Sequence, residues 1–222
     1  MGALAAAVAG VGVQGVVSAA AGRMLAAAVR AQWGGRVTAQ VVAVPFWQLG
    51  WGRFERLTVR GRGLRSGALR IARLDARWDG GRVDLAALAQ GRPLAAWMRG
   101  GRLKVRLDIG ADALRRILPR SGAVTLTGLG LAPPGVWVQG RLRFDELDLP
   151  FRAFGRPRVV DGGEVLVFLV TLVHAGPIVL RSGLGVPVVD LRHTELGGAL
   201  RISGARVEPW GVRVELVNRR SA

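Results

Sequence analysis

The stretch RLKVRLDI at residues 102–109 alternates strictly between charged and apolar side chains. One parity holds Leu103, Val105, Leu107 and Ile109, and the other holds the arginines, the lysine and the aspartate. Successive side chains of a β-strand point to opposite sides, so the stretch predicts a strand with one apolar and one solvated face. A sheet of such strands needs a cover on its apolar side.

The same alternation recurs between glycine-rich breaks, which predicts further strands. They fall at residues 57–59, 69–71, 124–126, 142–144, 200–202 and 212–216. In LRIARLDARW, residues 69–78, the apolar parity changes midway, which predicts a β-bulge near Ala72 and Arg73. The continuous apolar run at residues 165–173 predicts a strand buried on both faces.

Helical patterns precede and interrupt these strands. VVSAAAGRMLAAAVRAQW, residues 16–33, contains no proline and is rich in strong helix formers. Its expected apolar stripe includes Val17, Met24 and Ala28, opposite Arg23 and Arg30. Shorter helices are predicted at residues 84–90, 93–98 and 111–118. The predicted fold class is therefore α+β, a curved antiparallel sheet wrapped on a long N-terminal helix with short helices between strands.

The first 22 residues form a separate compositional segment, made mainly of alanine, glycine and valine and free of charge. No basic residue precedes the apolar stretch, unlike an ordinary secretory signal. Three interpretations stay open: a signal with a truncated start, an uncleaved membrane anchor, or the first turns of the long helix. We predict two parts, residues 1–22 as anchor, signal or helix start, and residues 23–222 as one domain.

The 222 residues carry a net charge of +17, but the charge is not gathered into runs. Lys104 is the only lysine among 32 basic residues, and the arginines are spread along the chain. Nucleic-acid binding usually needs a clustered basic footprint, so nucleic acid is an unlikely partner. The chain has no cysteine, which excludes disulfides and thiolate chemistry and leaves the compartment unspecified.

Candidates for catalysis or metal binding are few. His174 and His193 lie in unrelated contexts without the spacing of paired metal ligands. Asp145, Glu146 and Asp148 form an acidic cluster, which is more typical of a solvated strand end paired with nearby arginines. We predict a protein that is not an enzyme, with no catalytic residue, no metal site and no cofactor.

Aromatic residues concentrate in PFWQLGWGRF, residues 45–54, just before the first long strand. At this density they form either a large interfacial surface or a plug at the end of the core. Trp97 and Met98, flanked by Arg92 and Arg99, form either an apolar tip for a lipid interface or a helix cap on the sheet rim.

Four segments together resemble the LmeA-like phospholipid-binding family of bacterial envelope proteins. They read PFWQLGWGRFERLTVRGRGL (45–64), LRIARLDARW (69–78), VDLAALAQGR (83–92) and GGRLKVRLDIGADALRRIL (100–118). The matching positions are Pro45, Phe46, Gly52, Phe54, Val59, Gly63, Leu64, Leu85 and residues 112–118. The resemblance covers residues 20–120 well, while Val44 and the Arg115-Arg116 pair depart from the family pattern.

The resemblance implies a fold similar to half of a tubular lipid-binding module, with phospholipid as ligand and an extracytoplasmic, membrane-associated position. We therefore predict a non-enzymatic phospholipid-binding protein of the cell envelope that holds acyl chains in an apolar groove and contacts the membrane surface. The alternatives are a scaffolding envelope protein with a filled core and a basic nucleic-acid-binding protein. The predicted lipid-binding residues are Met24, Phe46, Trp47, Leu49, Trp51, Phe54, Trp97, Met98, Leu103, Val105, Leu107 and Ile109.

Overall fold

Two six-stranded antiparallel sheets, a two-stranded sheet of Arg82–Val83 with Met98–Arg99, and a long N-terminal helix are the main parts of the fold in the computed structural model. The structure describes residues 2–43, 46–66, 69–84, 86–87, 90, 92, 94–118, 124–144, 147–194 and 197–219, with side chains of the first helix from residue 18 onward. The predicted α+β class, mostly antiparallel sheet with an N-terminal helix, is confirmed.

The elements follow one another with short connections. The helices are α1 (Gly2–Trp33), α2 (Leu94–Trp97) and α3 (Ala111–Ile117), with 3-10 turns at Phe46–Trp51 and Asp161–Gly163. The strands are β1 (Arg36–Val42), β2 (Arg56–Ser66), β3 (Leu69–Asp79), β4 (Arg82–Val83), β5 (Met98–Arg99), β6 (Arg102–Gly110), β7 (Val124–Ala132), β8 (Gly135–Phe144), β9 (Leu147–Val160), β10 (Val165–Ala175), β11 (Ile178–Arg181), β12 (Gly185–Asp190), β13 (Leu200–Glu208) and β14 (Gly211–Asn218).

The first sheet has the order β1-β2-β3-β6-β14-β13 and contains the strand predicted from RLKVRLDI. Its apolar parity is buried: Leu103, Val105, Leu107 and Ile109 all belong to the core. Helix α1 packs on β1 and β2 and covers part of this face. The charged parity of the same strands forms the solvated outer face.

The strands β2 and β3 change parity together, and this corrects the predicted bulge. Arg62 pairs with Arg73 and Leu64 pairs with Ile71, so one residue of each strand is passed over and the register is not shifted. Gly63, with φ of 65°, lies at this point in β2. A bulge adds a residue to one strand only. Here the alternation of buried and exposed side chains changes in both strands at the same point, which keeps the apolar side chains of both on the inner face of the sheet.

The second sheet has the order β11-β10-β9-β8-β7, and β12 pairs with the first half of β10. The predicted strand at residues 165–173 is present, but it is not buried on both faces. Val165, Leu166 and Phe168 are buried, whereas residues 169–173 are only half-buried. The first sheet covers one end of this strand and leaves the other end open.

The two sheets meet along β13, which contacts β7, β8, β9 and β10. Buried residues of α1 and of both sheets belong to one continuous hydrophobic cluster. The predicted division into residues 1–22 and 23–222 stays a prediction, and α1 runs through residue 22 without a break. Among the described residues, no helix combines the length and the apolar character needed to cross a bilayer.

The predicted short helices are only partly described. Residues 111–117 of the predicted segment 111–118 form α3 with Leu118 at its C-cap, and residues 94–97 of the predicted segment 93–98 form α2. In the segment 84–90 the helical residues 86 and 87 are described, and the Asp84 carboxylate accepts a bond from the Ala87 amide at 3.0 Å. Asp145 and Glu146 lie outside the described residues.

Candidate functional site

An apolar groove lies between α1, the inner face of the first sheet and the segment that follows β12. Leu25, Val29 and Trp33 line it from the helix. Their spacing of four residues places them on one side of α1, because a helix repeats about every 3.6 residues. The helix therefore forms the roof of the groove.

The floor comes from three neighbouring strands whose inward side chains form adjacent rows. These are Leu57 and Val59 of β2, Leu69, Ile71, Leu74, Ala76 and Trp78 of β3, and Leu103, Val105 and Leu107 of β6. The ladder places Leu74 opposite Leu107 and Ala76 opposite Val105. Ala76 is the smallest of these side chains, so the floor is lowest beside it.

The far wall belongs to the second half of the chain. Val189, Leu191 and Leu200 present apolar side chains, and Thr194 lies beside them. The Thr194 hydroxyl donates to the Leu191 carbonyl at 2.9 Å, which satisfies that polar group within the wall itself. The wall therefore adds no unpaired donor to the groove.

Trp78 closes one end and is held firmly. Its indole Nε1 donates to the Gly100 carbonyl at 2.9 Å, and its ring meets Phe54 edge to face with centroids 4.8 Å apart. A Cβ atom at Gly81 would lie 2.2 Å from the indole, so only glycine fits there. Trp97 and Met98 line the same groove.

The groove is apolar and narrow. Its exposed lining is apolar, and no charged side chain is among its lining residues. It encloses about 100 Å³, less than the roughly 300–1,000 Å³ typical of ligand pockets. Space of this size admits a short part of an aliphatic chain unless the roof or the wall moves apart.

The outer face of the first sheet carries many charges, and its basic residues outnumber the acids that pair with them. Arg56 and Arg77 both hydrogen-bond to Asp79, and the bonds from Arg77 and Arg56 hold the pKa of Asp79 below its usual range. Arg213 donates to the nearly buried Asp108 at 3.0 Å, which raises the pKa of Arg213. No arginine is among the residues that line the groove.

Five of the predicted lipid-binding residues meet in the groove. They are Trp97, Met98, Leu103, Val105 and Leu107. Trp97 is buried, so the predicted alternative of an apolar tip at this position is wrong and the packed cap on the sheet is correct.

The other predicted residues lie elsewhere. Ile109 is fully buried in the core, Phe54 packs behind Trp78, and Leu49 is half-buried against the core. Met24 is 74% exposed, and Trp47 and Trp51 are 57% and 63% exposed. The side chain of Phe46 lies outside the described part of the chain. The 45–54 segment thus divides between a buried phenylalanine and two exposed tryptophans.

Most of the lining was not predicted as a site. The rows on β2 and β3 follow from the same alternation that identified β6, and the helix row follows from the spacing of four from Leu25 to Trp33. The missed rows are Leu25, Val29, Trp33, Leu57, Val59, Leu69, Ile71, Leu74, Ala76 and Trp78. In the far wall, Val189, Leu191 and Thr194 lie at the end of β12 and in the turn after it, where no alternation was identified, whereas Leu200 begins the predicted strand 200–202.

Titratable groups stay separate from the groove. His193 lies on the surface near Asp190, with 3.9 Å between the imidazole and the carboxylate, and His174 lies on β10. Asp148 forms the expected ion pair with Arg141 at 2.9 Å. Within the described ranges, no three potential metal ligands come together.

A covering helix and the inner face of a curved antiparallel sheet thus share an apolar, uncharged groove. The model of the LmeA-like phospholipid-binding family matches residues 12–217, and the chain belongs to this family. The match extends the resemblance beyond residue 120 to nearly the whole chain. Neither a curated protein nor a solved structure gives a significant match.

Proposed function

We propose that this chain is a non-enzymatic phospholipid-binding protein that holds lipid acyl chains in the groove beneath α1. The observation that carries the proposal is the apolar, uncharged lining, which combines α1, three strands and the turn after β12. Membership of a phospholipid-binding family supports the same class of ligand.

Acyl chains supply most of the affinity in this proposal. Each methylene group that leaves water contributes ~0.8 kcal/mol. The exposed lining is apolar and holds no charged side chain, so the headgroup stays at the mouth, where phosphate meets arginines near the rim. Arg99 directly follows the lining residue Met98 and is exposed, which makes it a candidate for this contact.

Binding requires the groove to widen. Because α1 meets the body mainly through β1 and β2, the helix is the element that moves most readily. The apolar side chains of the roof exchange contacts with the sheet for contacts with the lipid. The loss of packing on opening is thus offset by burial of the acyl chain.

We further propose an extracytoplasmic position on the membrane side of the cell envelope, with residues 1–22 as tether or signal. The uncharged alanine, glycine and valine composition of this segment supports the proposal. Cell fractionation, followed by N-terminal sequencing of the mature chain, tests it. A cytoplasmic chain with an intact N-terminus contradicts it.

The second candidate is a scaffolding envelope protein with a filled core, which the free volume of about 100 Å³ favours. Nucleic-acid binding is less favoured, because arginines of the outer face form ion pairs with Asp75, Asp79 and Glu215. A measurement of bound lipid distinguishes the first two functions.

The test is organic extraction of the purified full chain, followed by mass spectrometry of the extract. We expect phospholipid in the wild type and little or none in Ala76→Phe, which places a phenyl ring on the groove floor. The matched control Ala72→Phe adds the same ring to the exposed side of the same strand and should keep the lipid. If Ala76→Phe fails to fold, Ala76→Leu replaces it.

Absence of phospholipid from the wild type, together with no binding of added phospholipid, contradicts the proposal and supports scaffolding. Equal lipid in both phenylalanine variants means that the lipid lies outside the groove, which also contradicts it.

A further inference from the structure

The hairpin of β10 and β11 exposes an unusual set of aliphatic side chains at the open end of the second sheet. Ile178, Val179 and Leu180 are 51%, 57% and 54% exposed, and Leu184 beyond the hairpin is 64% exposed. The other large apolar side chains exposed to this degree in the described residues are scattered over α1, β1, the 3-10 turn and the β13–β14 turn. The hairpin is therefore a concentrated apolar surface, which in a soluble environment usually marks an interaction site.

Both faces of β11 are apolar. Ile178 and Leu180 pair with Ala175 and Val173, and Val179 between them pairs with His174. Because neighbouring side chains of a strand point to opposite sides, apolar groups are exposed on both sides of the hairpin. A protein docked on the sheet covers one side only, whereas entry into a lipid interface covers both.

The apolar surface continues from the hairpin into the sheet. Val173 lies opposite Ala153 of β9, and the next pair on the same face joins Ala175 to Phe151. Val173, Ala153 and Phe151 are half-buried and lie outside the main hydrophobic cluster. The first sheet does not cover this end, so the apolar face remains open up to the hairpin tip.

Positive charge dominates around the hairpin, and Asp148, two residues before the Pro150 that accepts the Gly176 amide, is paired with Arg141. Neither residues 149–160 nor residues 165–189 contain an acidic residue. Arg152, Arg156, Arg158 and Arg181 are exposed, and none forms an ion pair with a carboxylate of the described residues. Arg152 instead lies over the Trp137 ring, 4.5 Å from its centroid. These four cations complement an anionic surface.

We infer that the β10–β11 hairpin and Leu184 insert into the interface of an anionic phospholipid bilayer, with Arg181 and Arg152 on lipid phosphates. Apolar side chains at a tip combined with nearby cations are what interfacial binding to anionic lipid requires. The inference does not depend on occupancy of the groove, and the two sites involve different residues.

The chain has no cysteine, so one introduced thiol labels a single position. Val179→Cys in the full chain is labelled with an environment-sensitive fluorophore and mixed with vesicles of phosphatidylcholine and phosphatidylglycerol. We expect a blue shift and quenching by nitroxide-labelled lipid. Val42→Cys, at a valine of the edge strand β1 that is 45% exposed against 57% for Val179, is the control and should show neither.

Substitutions test the apolar insertion and the electrostatic attraction separately, with vesicle sedimentation as the measurement of binding. Val179→Asp should weaken binding, while Val42→Asp adds the same charge elsewhere and should leave binding nearly unchanged. Arg181→Gln should weaken binding to anionic vesicles about fivefold and have little effect on pure phosphatidylcholine.

Two results overturn the inference. Equal spectral changes at positions 179 and 42 place the contact elsewhere, for example at α1. A shift at position 179 that depends on protein concentration and needs no vesicles identifies the occupant as a second copy of the chain. If Ala76→Phe loses the groove lipid but the label at position 179 still shows the same fluorescence shift with vesicles, membrane insertion of the hairpin is independent of lipid binding in the groove.

Discussion

Asp190 shows how one residue fixes a wall of the groove. Its carboxylate accepts bonds from the Arg192 side chain at 2.7 and 3.0 Å, and from the Arg192 backbone amide at 3.0 Å. Val189 and Leu191, its neighbours in sequence, both line the groove. The hydrogen bonds from Arg192 lower the pKa of Asp190 from 3.8 to about 2.

We expect Asp190→Asn to lower the free energy of unfolding in a pH-dependent manner. Because the pKa is depressed in the folded state, the ionised carboxylate stabilises the fold fully above pH 3.8. This contribution is lost as the pH falls through about 2. Urea unfolding at several pH values should therefore show a constant difference in the free energy of unfolding between wild type and variant at higher pH. This difference should disappear over the acidic range.

Asp112→Asn is the matched control, because it removes an exposed carboxylate from α3 whose ion pair with Arg115 is loose at 3.6 Å. It should change stability little. If the difference in the free energy of unfolding between wild type and Asp190→Asn stays constant as the pH falls to about 2, the Arg192 contact does not stabilise the wall.

The faces of strand residues were predicted more accurately than those of residues on α1, and the reason is geometric. Alternation fixes which strand residues share a face, so Leu103 and Val105 could be placed from the sequence. On α1, Met24 was predicted for the apolar stripe, but Leu25 faces the groove and Met24 is exposed. With alanine at most surrounding positions, the helical pattern is too weak to fix the rotation of the helix within one residue.

At the scale of elements, the roof of the groove depends on how closely α1 approaches β1. A Cβ atom at Gly22 would lie 2.5 Å from the Ala39 carbonyl oxygen, so the helix and strand backbones meet there. Glycine in a helix interior normally costs about 1 kcal/mol relative to alanine. Here the close contact accounts for its presence.

We therefore expect Gly22→Ala to destabilise the protein by about 1–2 kcal/mol, because overpacking against the backbone outweighs the gain in helix propensity. Chemical denaturation monitored by circular dichroism measures this change in the free energy of unfolding. Ala28→Gly, on the exposed side of the same helix, should also destabilise, by about 1 kcal/mol from propensity alone. A Gly22→Ala variant more stable than wild type contradicts this packing.

The existence of the elements was largely predictable, and their pairing was not. The parity change in residues 69–78 was visible in the sequence, but one strand alone does not reveal what its partner does. The structure shows β2 changing parity opposite β3, at Gly63. That both strands change parity at the same point is a property of their pairing, which the sequence of one strand alone does not reveal.

For the whole molecule, the sequence defined apolar faces but not which strands share a sheet. Alternation is the same in both sheets, so it did not predict that β13 joins them or that the far end of β10 stays open. The groove likewise needs residues from both halves of the chain, from Leu25 to Leu200. Long-range contacts of this kind are set by packing of the complete core, which a local pattern does not contain.

The central claim is that acyl chains occupy the groove beneath α1. Photo-cross-linking with a phospholipid that carries a diazirine on its acyl chain, followed by peptide mapping, tests it most directly. The account predicts cross-links to the floor and roof, at residues such as Leu74, Ala76, Leu107 and Val29. Cross-links confined to the 178–184 hairpin, with none in the groove, would contradict the claim and leave this chain a membrane-surface protein with a filled core.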